Sequence, residues 1–323
     1  MTSWRPSAGV QAARTRAALL ARIRAYFEAA DVLEVDTPAL SPFAVTDTQI
    51  ESLEIPHSLI SPQALYLHTS PEFCMKRLLA SGYPDIYSVC RVFRDGESGR
   101  RHQPEFTMVE WYRQDFGLQQ IIDDTLQLIA TTLGRESLAR DAMRHDYRGL
   151  FEAAVGLDPL RAGSEELAVA AGADNDLRAA VGDEKDDWLD LLLSTEIAAR
   201  FEPGRLTVLY HYPATQAALA RLCPGNAEVA DRFEVFMGPV ELANGYVELT
   251  DAREQAERMR RDADDRERRA RPLRPADQNL LAALEAGLPP CAGVALGFER
   301  LQMIHDNTDD IRDVVSFAFE THA

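Results

Sequence analysis

Phe93 to Tyr112 reads FRDGESGRRHQPEFTMVEWY, a charged, glycine-containing centre between two apolar flanks. Ile86 to Phe93 and Glu105 to Tyr112 alternate or run apolar over lengths suited to strands, whereas Arg94 to Pro104 is polar. The pattern predicts a hairpin whose two strands are joined by a long, charged loop. Arg94, Arg100, Arg101 and His102 lie in that loop, and several cations on a β framework are what a triphosphate requires. The same composition also suits a solvated surface loop. Phe106, just past the loop, can stack on a base or sit in the core.

Downstream, Gly293 to Leu301 (GVALGFERL) reads as a strand of small residues entering a helix near Arg300, and small side chains let a ligand approach the backbone. Upstream, the first thirty residues read as one amphipathic helix with Leu19, Leu20, Ile23 and Phe27 on its apolar stripe, followed by a strand at Val32 to Asp36 that Thr37-Pro38 ends. At Ser70-Pro71-Glu72 a capping Ser and a Pro at the first helical position predict a helix start with Glu72 in its first turn. Residues 117–200 read as a helical insertion that carries the acidic cluster Asp183, Glu184, Asp186 and Asp187 on a solvated face. Strand patterns return at Leu206 to Tyr210 and Arg232 to Phe236, and Asp251 to Arg274 reads as a solvated, arginine-rich helix held by pairs four apart.

Glu234, Glu241 and Glu248 are spaced by seven residues. On an uninterrupted strand that odd spacing alternates them between faces. Gly238-Pro239 and Asn244-Gly245 offer two breaks at which a turn or bulge restores a common direction. Converging carboxylates suit Mg²⁺ on a nucleotide or a substrate ammonium; separate surface acids are the alternative.

With 323 residues, 46% hydrophobic, the chain has enough apolar material for one large domain with an embedded insertion. No apolar run approaches the roughly 20 residues that span a bilayer, and no apolar leader with a cleavage site precedes the first helix, so the cytoplasm is the expected location. Cys74, Cys90, Cys223 and Cys291 show no ligand-like spacing and read as buried free thiols. Lys and Arg number 34 against 52 Asp and Glu, a net charge of -18 that repels phosphate backbones and argues against a nucleic-acid partner.

These segments together resemble the catalytic core of class II aminoacyl-tRNA synthetases. Phe93 to Tyr112 is similar to motif 2, Gly293 to Leu301 to motif 3, and the N-terminal helix with Val32 to Leu40 to motif 1, whose Pro38 the resemblance places at a homodimer interface. Thr69 to Glu72 (TSPE) and Val240 to Gln255 (VELANGYVELTDAREQ) resemble the lysyl branch. Motif 1 begins almost at Met1, which leaves no segment resembling the anticodon-binding domain. In that the chain resembles the truncated paralogues that join lysine or (R)-β-lysine to a lysine side chain of elongation factor P.

The resemblance implies an α+β fold, a mainly antiparallel sheet flanked by helices, and an ATP-dependent, two-step reaction with Mg²⁺. It implies catalytic cations at Arg94 and Arg300, and ATP contacts from Asp95, Glu97, His102, Gln103, Phe106, Glu241, Leu242 and Gly297. It gives Glu234 and Glu241 to the metal, and Ser70, Pro71, Glu72, Tyr112, Asn244, Glu248 and Ala295 to the amino acid. Two residues depart from the family pattern. Gly96 stands where motif 2 carries the glutamate that meets the adenine amino group, and Ala295 stands where lysyl synthetases have glycine. A minimal tRNA-charging enzyme, with Arg258 to Arg274 as its basic surface, and a non-catalytic regulatory paralogue are the alternatives, and the choice between α- and β-lysine stays open.

Overall fold

The computed structural model describes residues 4–319. The chain divides into two compact units, one from Met1–Phe116, Thr131–Gly134 and Leu249–Ala323 and one from Gly117–Ala130 and Arg135–Glu248.

In the first unit, the helix Val10–Ala29 buries Leu19, Ile23 and Phe27, four apart on one face. It is shorter than the predicted thirty-residue helix, because Gly9 precedes it in extended backbone and residues 4–9 stay outside it; residues 1–3 lie outside the described residues. The predicted strand at Val32 to Asp36 contracts to Leu33–Glu34, paired in parallel with Ile86 and Tyr87. The hairpin is present: Ile86–Phe93 and Glu105–Gln114 stay in register from Ile86 opposite Tyr112 to Phe93 opposite Glu105. Cys291–Gly297 pairs antiparallel with the other side of Glu105–Gln114.

Alternation sorts the hairpin's side chains between two faces. Thr107, Val109 and Trp111 meet the N-terminal helix: the Phe27 ring lies 5.6 Å from Trp111, and Arg16 Nη2 donates to Thr107 Oγ1 at 2.5 Å. Met108, Glu110 and Tyr112 point the other way, with Gly297, Ala295 and Gly293 directly beside them in the ladder. The Tyr112 end of that second face is closed by Met75 and Leu79 of the helix Glu72–Ala80 and by Leu280 and Leu284 of the helix Gln278–Gly287. The end that carries Phe106 and Gly297 is the one the charged loop overhangs.

The predicted arginine-rich helix is Ala252–Arg268. Arg260, Arg261 and Arg268 are exposed and paired with Glu257, Asp264 and Asp265, as the spacing predicts. Arg266 departs from that reading. It is fully buried and donates to the carbonyls of Thr46, Asp47 and Ile50 and to Glu51 Oε2, so it organises a loop rather than facing solvent.

In the second unit the strands run in the order Val240–Val247, Arg232–Met237, Leu206–Tyr210 and Met143–Asp146, the last pairing in parallel. Residues 117–200 hold six α-helices from Leu118–Leu133 to Lys185–Leu192, interrupted by the strand Met143–Asp146, which has no apolar alternation to announce it. Tyr147, Phe151, Trp188 and Leu192 pack with Leu209 and Phe236 as the core of this unit. The acidic cluster is not all solvated. Asp186 and Asp187 lie in the first turn of Lys185–Leu192, where they complement the helix dipole, and Asp186 accepts from Thr215 Oγ1 at 2.8 Å. Among the described residues no helix is long and apolar enough to cross a membrane.

Candidate active site

The charged loop of the first unit is a built structure. Arg94 N donates to Pro104 O at 2.9 Å and Asp95 N to Glu51 O at 2.8 Å, which fixes the loop's base. Gly96 then takes φ 79°, a left-handed turn that a glutamate would adopt only with strain, and Asp95 Oδ1 accepts from its amide at 2.9 Å. The carboxylate comes one residue later: Glu97 Oε1 lies 3.4 Å from Arg94 Nη1. The Arg94 guanidinium sits 5.3 Å over the Phe106 ring. At the loop tip Gly99 pairs with His102, whose Nε2 lies 2.7 Å from Arg300 Nη2. A guanidinium only donates, so His102 Nε2 is the acceptor in this contact. Arg300 stands in the first turn of the helix Phe298–Asp306, just after Gly297, which is a little earlier than the predicted start. Gln103 is buried, donating to His102 O at 3.1 Å and accepting from Phe319 N at 2.6 Å. Arg94, Glu97 and Phe106 are thus brought into contact, as are His102 and Arg300, while Asp95 turns back on its own backbone.

A second group lies on the face of the same hairpin turned away from the N-terminal helix. Pro71 is the N-cap of the helix Glu72–Ala80 rather than its first residue, and Ser70 Oγ accepts from Glu72 N at 3.0 Å. The same hydroxyl donates to Glu110 Oε2 at 2.7 Å, and Tyr112 Oη donates to Glu110 Oε1 at 2.7 Å. Glu110 is directly across the ladder from Ala295. Glu72 Oε1 accepts from Lys76 Nζ at 2.6 Å, and Lys76 is buried. Neither Glu110 nor Lys76 figured among the residues picked from the sequence. An acid between Val109 and Trp111 inside an apolar strand was the available signal for Glu110, since a charge is rarely buried without a task or a partner.

The acidic strand of the second unit shows how odd spacing is overcome. Phe236 pairs with Glu241 but Val235 pairs with Ala243, so Leu242 is the extra residue of a bulge. With Glu241 opposite Phe236 and Asn244 opposite Glu234, the bulge puts Glu234, Glu241 and Asn244 on one face. The break falls at Leu242. Asn244 and Gly245 stay in the ladder, and Gly238, at φ 54°, makes the turn with Pro239. The residue that organises this face was overlooked: Arg232 donates to Glu234 Oε1 at 2.5 Å, to Asn244 Oδ1 at 3.3 Å and to Gln216 O at 2.6 Å, and lies 4.4 Å over the Tyr212 ring. Asn244 Nδ2 in turn donates to Tyr246 Oη at 3.0 Å. Burial pushes the Glu234 carboxyl up to about 7; Arg232 opposes that rise and the charge of Glu241 adds to it. Glu248 is buried just past the strand, where it bridges Ala220. Oxygen donors on one face, two of them carboxylates, form a set that suits a hard divalent cation such as Mg²⁺.

Comparison with known proteins agrees with this architecture. The family model described as tRNA synthetases class II (D, K and N) matches residues 3–321. A protein of Mannheimia succiniciproducens named elongation factor P (R)-β-lysine ligase is 44% identical, with 98% of this chain and 97% of that protein covered. Proteins of the same name from Klebsiella pneumoniae and Haemophilus ducreyi are 43% and 41% identical, each over 98% of this chain and over 98% and 97% of their own lengths.

Proposed function

The chain belongs to the class II tRNA synthetases (D, K and N) and is an ATP-dependent ligase, and from this premise we propose that it joins (R)-β-lysine, or lysine itself, to a lysine side chain of elongation factor P in the cytoplasm. The observation that carries the reading is the carboxylate of Glu110, buried at 2% exposure, hydrogen-bonded by Ser70 and Tyr112 and set beside Ala295 on the hairpin face turned away from the N-terminal helix. An acid held in that way is suited to a substrate ammonium.

In the first step a carboxylate oxygen of the amino acid attacks the α-phosphorus of ATP, and the bond to the bridging oxygen of pyrophosphate breaks. Arg94 holds the α-phosphate and the attacking carboxylate, which requires ATP to draw it away from Glu97 and from the Phe106 ring that then receives adenine. Asp95, Glu97, Gln103, Leu242 and Gly297 complete the nucleotide contacts. Arg300, steadied by His102, meets the γ-phosphate. Glu234 and Glu241 would hold Mg²⁺, which supplies charge neutralisation to the phosphates when bound. On the first unit Ser70, Pro71, Glu72 and Tyr112 orient the amino acid beside Ala295, and Asn244 and Glu248 of the second unit are assigned to the amino acid by the family resemblance alone. In the second step the ε-amine of the acceptor attacks the adenylate's carbonyl, AMP leaves and the amine loses a proton. No side-chain nucleophile takes part, so catalysis rests on positioning and charge stabilisation. A single catalytic domain acting as a homodimer through the Pro38 segment belongs to the same reading.

The arginine-rich helix supports a protein acceptor over tRNA. Arg258, Arg260, Arg261, Arg268 and Arg269 are each paired with a carboxylate, and Arg266 is buried, so residues 258–269 do not offer an unopposed basic surface. Intact mass of elongation factor P after incubation with this protein, ATP and each lysine isomer tests the reading. One added aminoacyl group with (R)-β-lysine is the expected result; unmodified elongation factor P alongside efficient charging of tRNA would overturn it.

A further inference from the structure

The second unit gathers three metal-ligating side chains away from the acidic strand face described above. One ring nitrogen of His211, Cys223 Sγ and a carboxylate oxygen of Asp231 all lie within 4.8 Å of one another. They come from three places: the residue after the strand Leu206–Tyr210, the ribbon strand Leu222–Cys223, and the turn between Asn226–Ala230 and Arg232–Met237. We propose that His211, Cys223 and Asp231 form a binding site for one borderline divalent transition-metal ion of the Zn²⁺ or Co²⁺ class, with a fourth position left to solvent.

Each of the two oxygen and nitrogen ligands has the outer partner that metal ligands use. His211 Nδ1 lies 3.2 Å from Asp146 Oδ2, a contact that orients the ring. With Nδ1 engaged by Asp146, Nε2 is the ring nitrogen available to a metal, and it lies 3.9 Å from Asp231 Oδ1. On Asp231, Oδ2 accepts from Arg221 Nε at 2.8 Å, which orients the carboxylate and leaves Oδ1 for the metal. Arg221 is also a cation close to the site, and it lowers affinity for any ion that relies on charge alone. That favours an ion whose bonds to sulfur and imidazole are strong over Mg²⁺ or Ca²⁺. His211 itself is at φ 60°, a backbone conformation that side-chain-bearing residues seldom adopt, and its amide N–H donates to Arg232 O at 3.0 Å. Asp231 is buried, while His211 and Cys223 are half-buried, so an ion can enter and a solvent ligand can remain.

Ligand atoms around Zn²⁺ stand roughly 3.3–3.8 Å apart, from bonds of about 2.0–2.3 Å. Closing the triad to that spacing takes a movement on the order of 1 Å. Binding breaks the Cys223 S–H bond, forms a sulfur–metal bond and releases the proton to solvent, one per ion. The ion would clip the short ribbon to the end of the strand that leads to Arg232.

Titration of the chelator-treated full chain with Co²⁺, followed by near-ultraviolet sulfur-to-cobalt charge transfer and by proton release, tests the site. One ion and one proton per chain are expected, with the charge-transfer band absent in Cys223→Ser and Co²⁺ affinity lowered about tenfold or more in Asp146→Asn, which acts through His211 Nδ1 and touches no ligand atom. Pyrophosphate exchange in Cys223→Ser should equal that of the unaltered protein, since Cys223 is outside the proposed catalytic residues. Absence of the band in the unaltered protein, an unchanged band in Cys223→Ser, or unchanged affinity in Asp146→Asn would each overturn the assignment.

Discussion

Replacing Arg232 by Met is the most exacting test of the acidic face. The side chains of Arg232 and Glu234 are only 17% and 10% exposed, so the substitution leaves a carboxylate buried with no cation against it. Breaking such a pair costs about 3–5 kcal/mol. Gln216 O and Asn244 Oδ1 lose their donor as well, which places the expected loss at the upper end, about 5 kcal/mol. Two internal checks follow. Glu234→Gln added to Arg232→Met removes the unpaired charge, so the double variant should be more stable than the sum of the single losses predicts, by about 2 kcal/mol. The second check is pH. Arg232 opposes the rise of the Glu234 carboxyl, which stands at about 7 with the guanidinium present. Without it the folded-state value climbs further above the unfolded value of about 4.3. A carboxyl raised on folding favours the folded state fully below its unfolded value, and that contribution is lost as pH rises through the folded one. The penalty for Arg232→Met must therefore grow between pH 5 and pH 8. Urea unfolding of the four proteins at both pH values measures it. Single losses that add to within about 0.5 kcal/mol, or a penalty that does not change with pH, would refute the argument.

Arg300→Ala should slow lysine-dependent pyrophosphate exchange about a hundredfold, the usual loss for one cation facing developing charge, and rates within threefold of the unaltered protein would remove it from the phosphate site. Ala295→Gly deletes a methyl beside Glu110 and should shift the kcat/KM ratio of α- to β-lysine activation towards α-lysine by about tenfold, the lower range for one methyl group; an unchanged ratio would mean that Ala295 does not choose the isomer. Asp262 lies in the arginine-rich helix, and burial pushes its carboxyl up to about 6 against the Thr46 hydrogen bond of 2.6 Å. Its ionised form therefore opposes folding. Asp262→Asn should raise the melting temperature little near pH 4 and progressively more up to pH 7, and a gain that shrinks with rising pH would contradict the cause assigned here.

What could be read from the sequence was whatever repeats locally. The hairpin around residues 94–104 declared itself by alternation and by a polar break, and the final helix by a run of small residues ending at Arg300. The bulge at Leu242 lay beyond such reading in position though not in kind. Odd spacing of Glu234 and Glu241 demanded one break in alternation, for which Gly238-Pro239 and Asn244-Gly245 were the residues on offer, and only the pairing of Phe236 with Glu241 and Val235 with Ala243 locates the extra residue at Leu242. Partners distant in sequence are a different matter. Arg266 is one of many arginines on a helix whose neighbours are solvated ion pairs, yet it is the buried one, because the chain some 220 positions earlier brings three carbonyls and Glu51 around it. The same is true of Arg232, whose acceptors include Gln216 O and Asn244 Oδ1. In both cases a cation holds a loop or a strand face through backbone and amide oxygens, which carry no signature in residue type. Carboxylates can be counted along a chain, whereas the guanidinium that fixes their direction is recognised only when the fold has brought its acceptors together. The reading of Gly96 follows the same logic. As a residue type it looked like a lost adenine contact; as a residue at φ 79° it is what lets the loop turn and bring Glu97 to Arg94. The departure from the family pattern is therefore tied to a turn that sets the next carboxylate, Glu97, against Arg94.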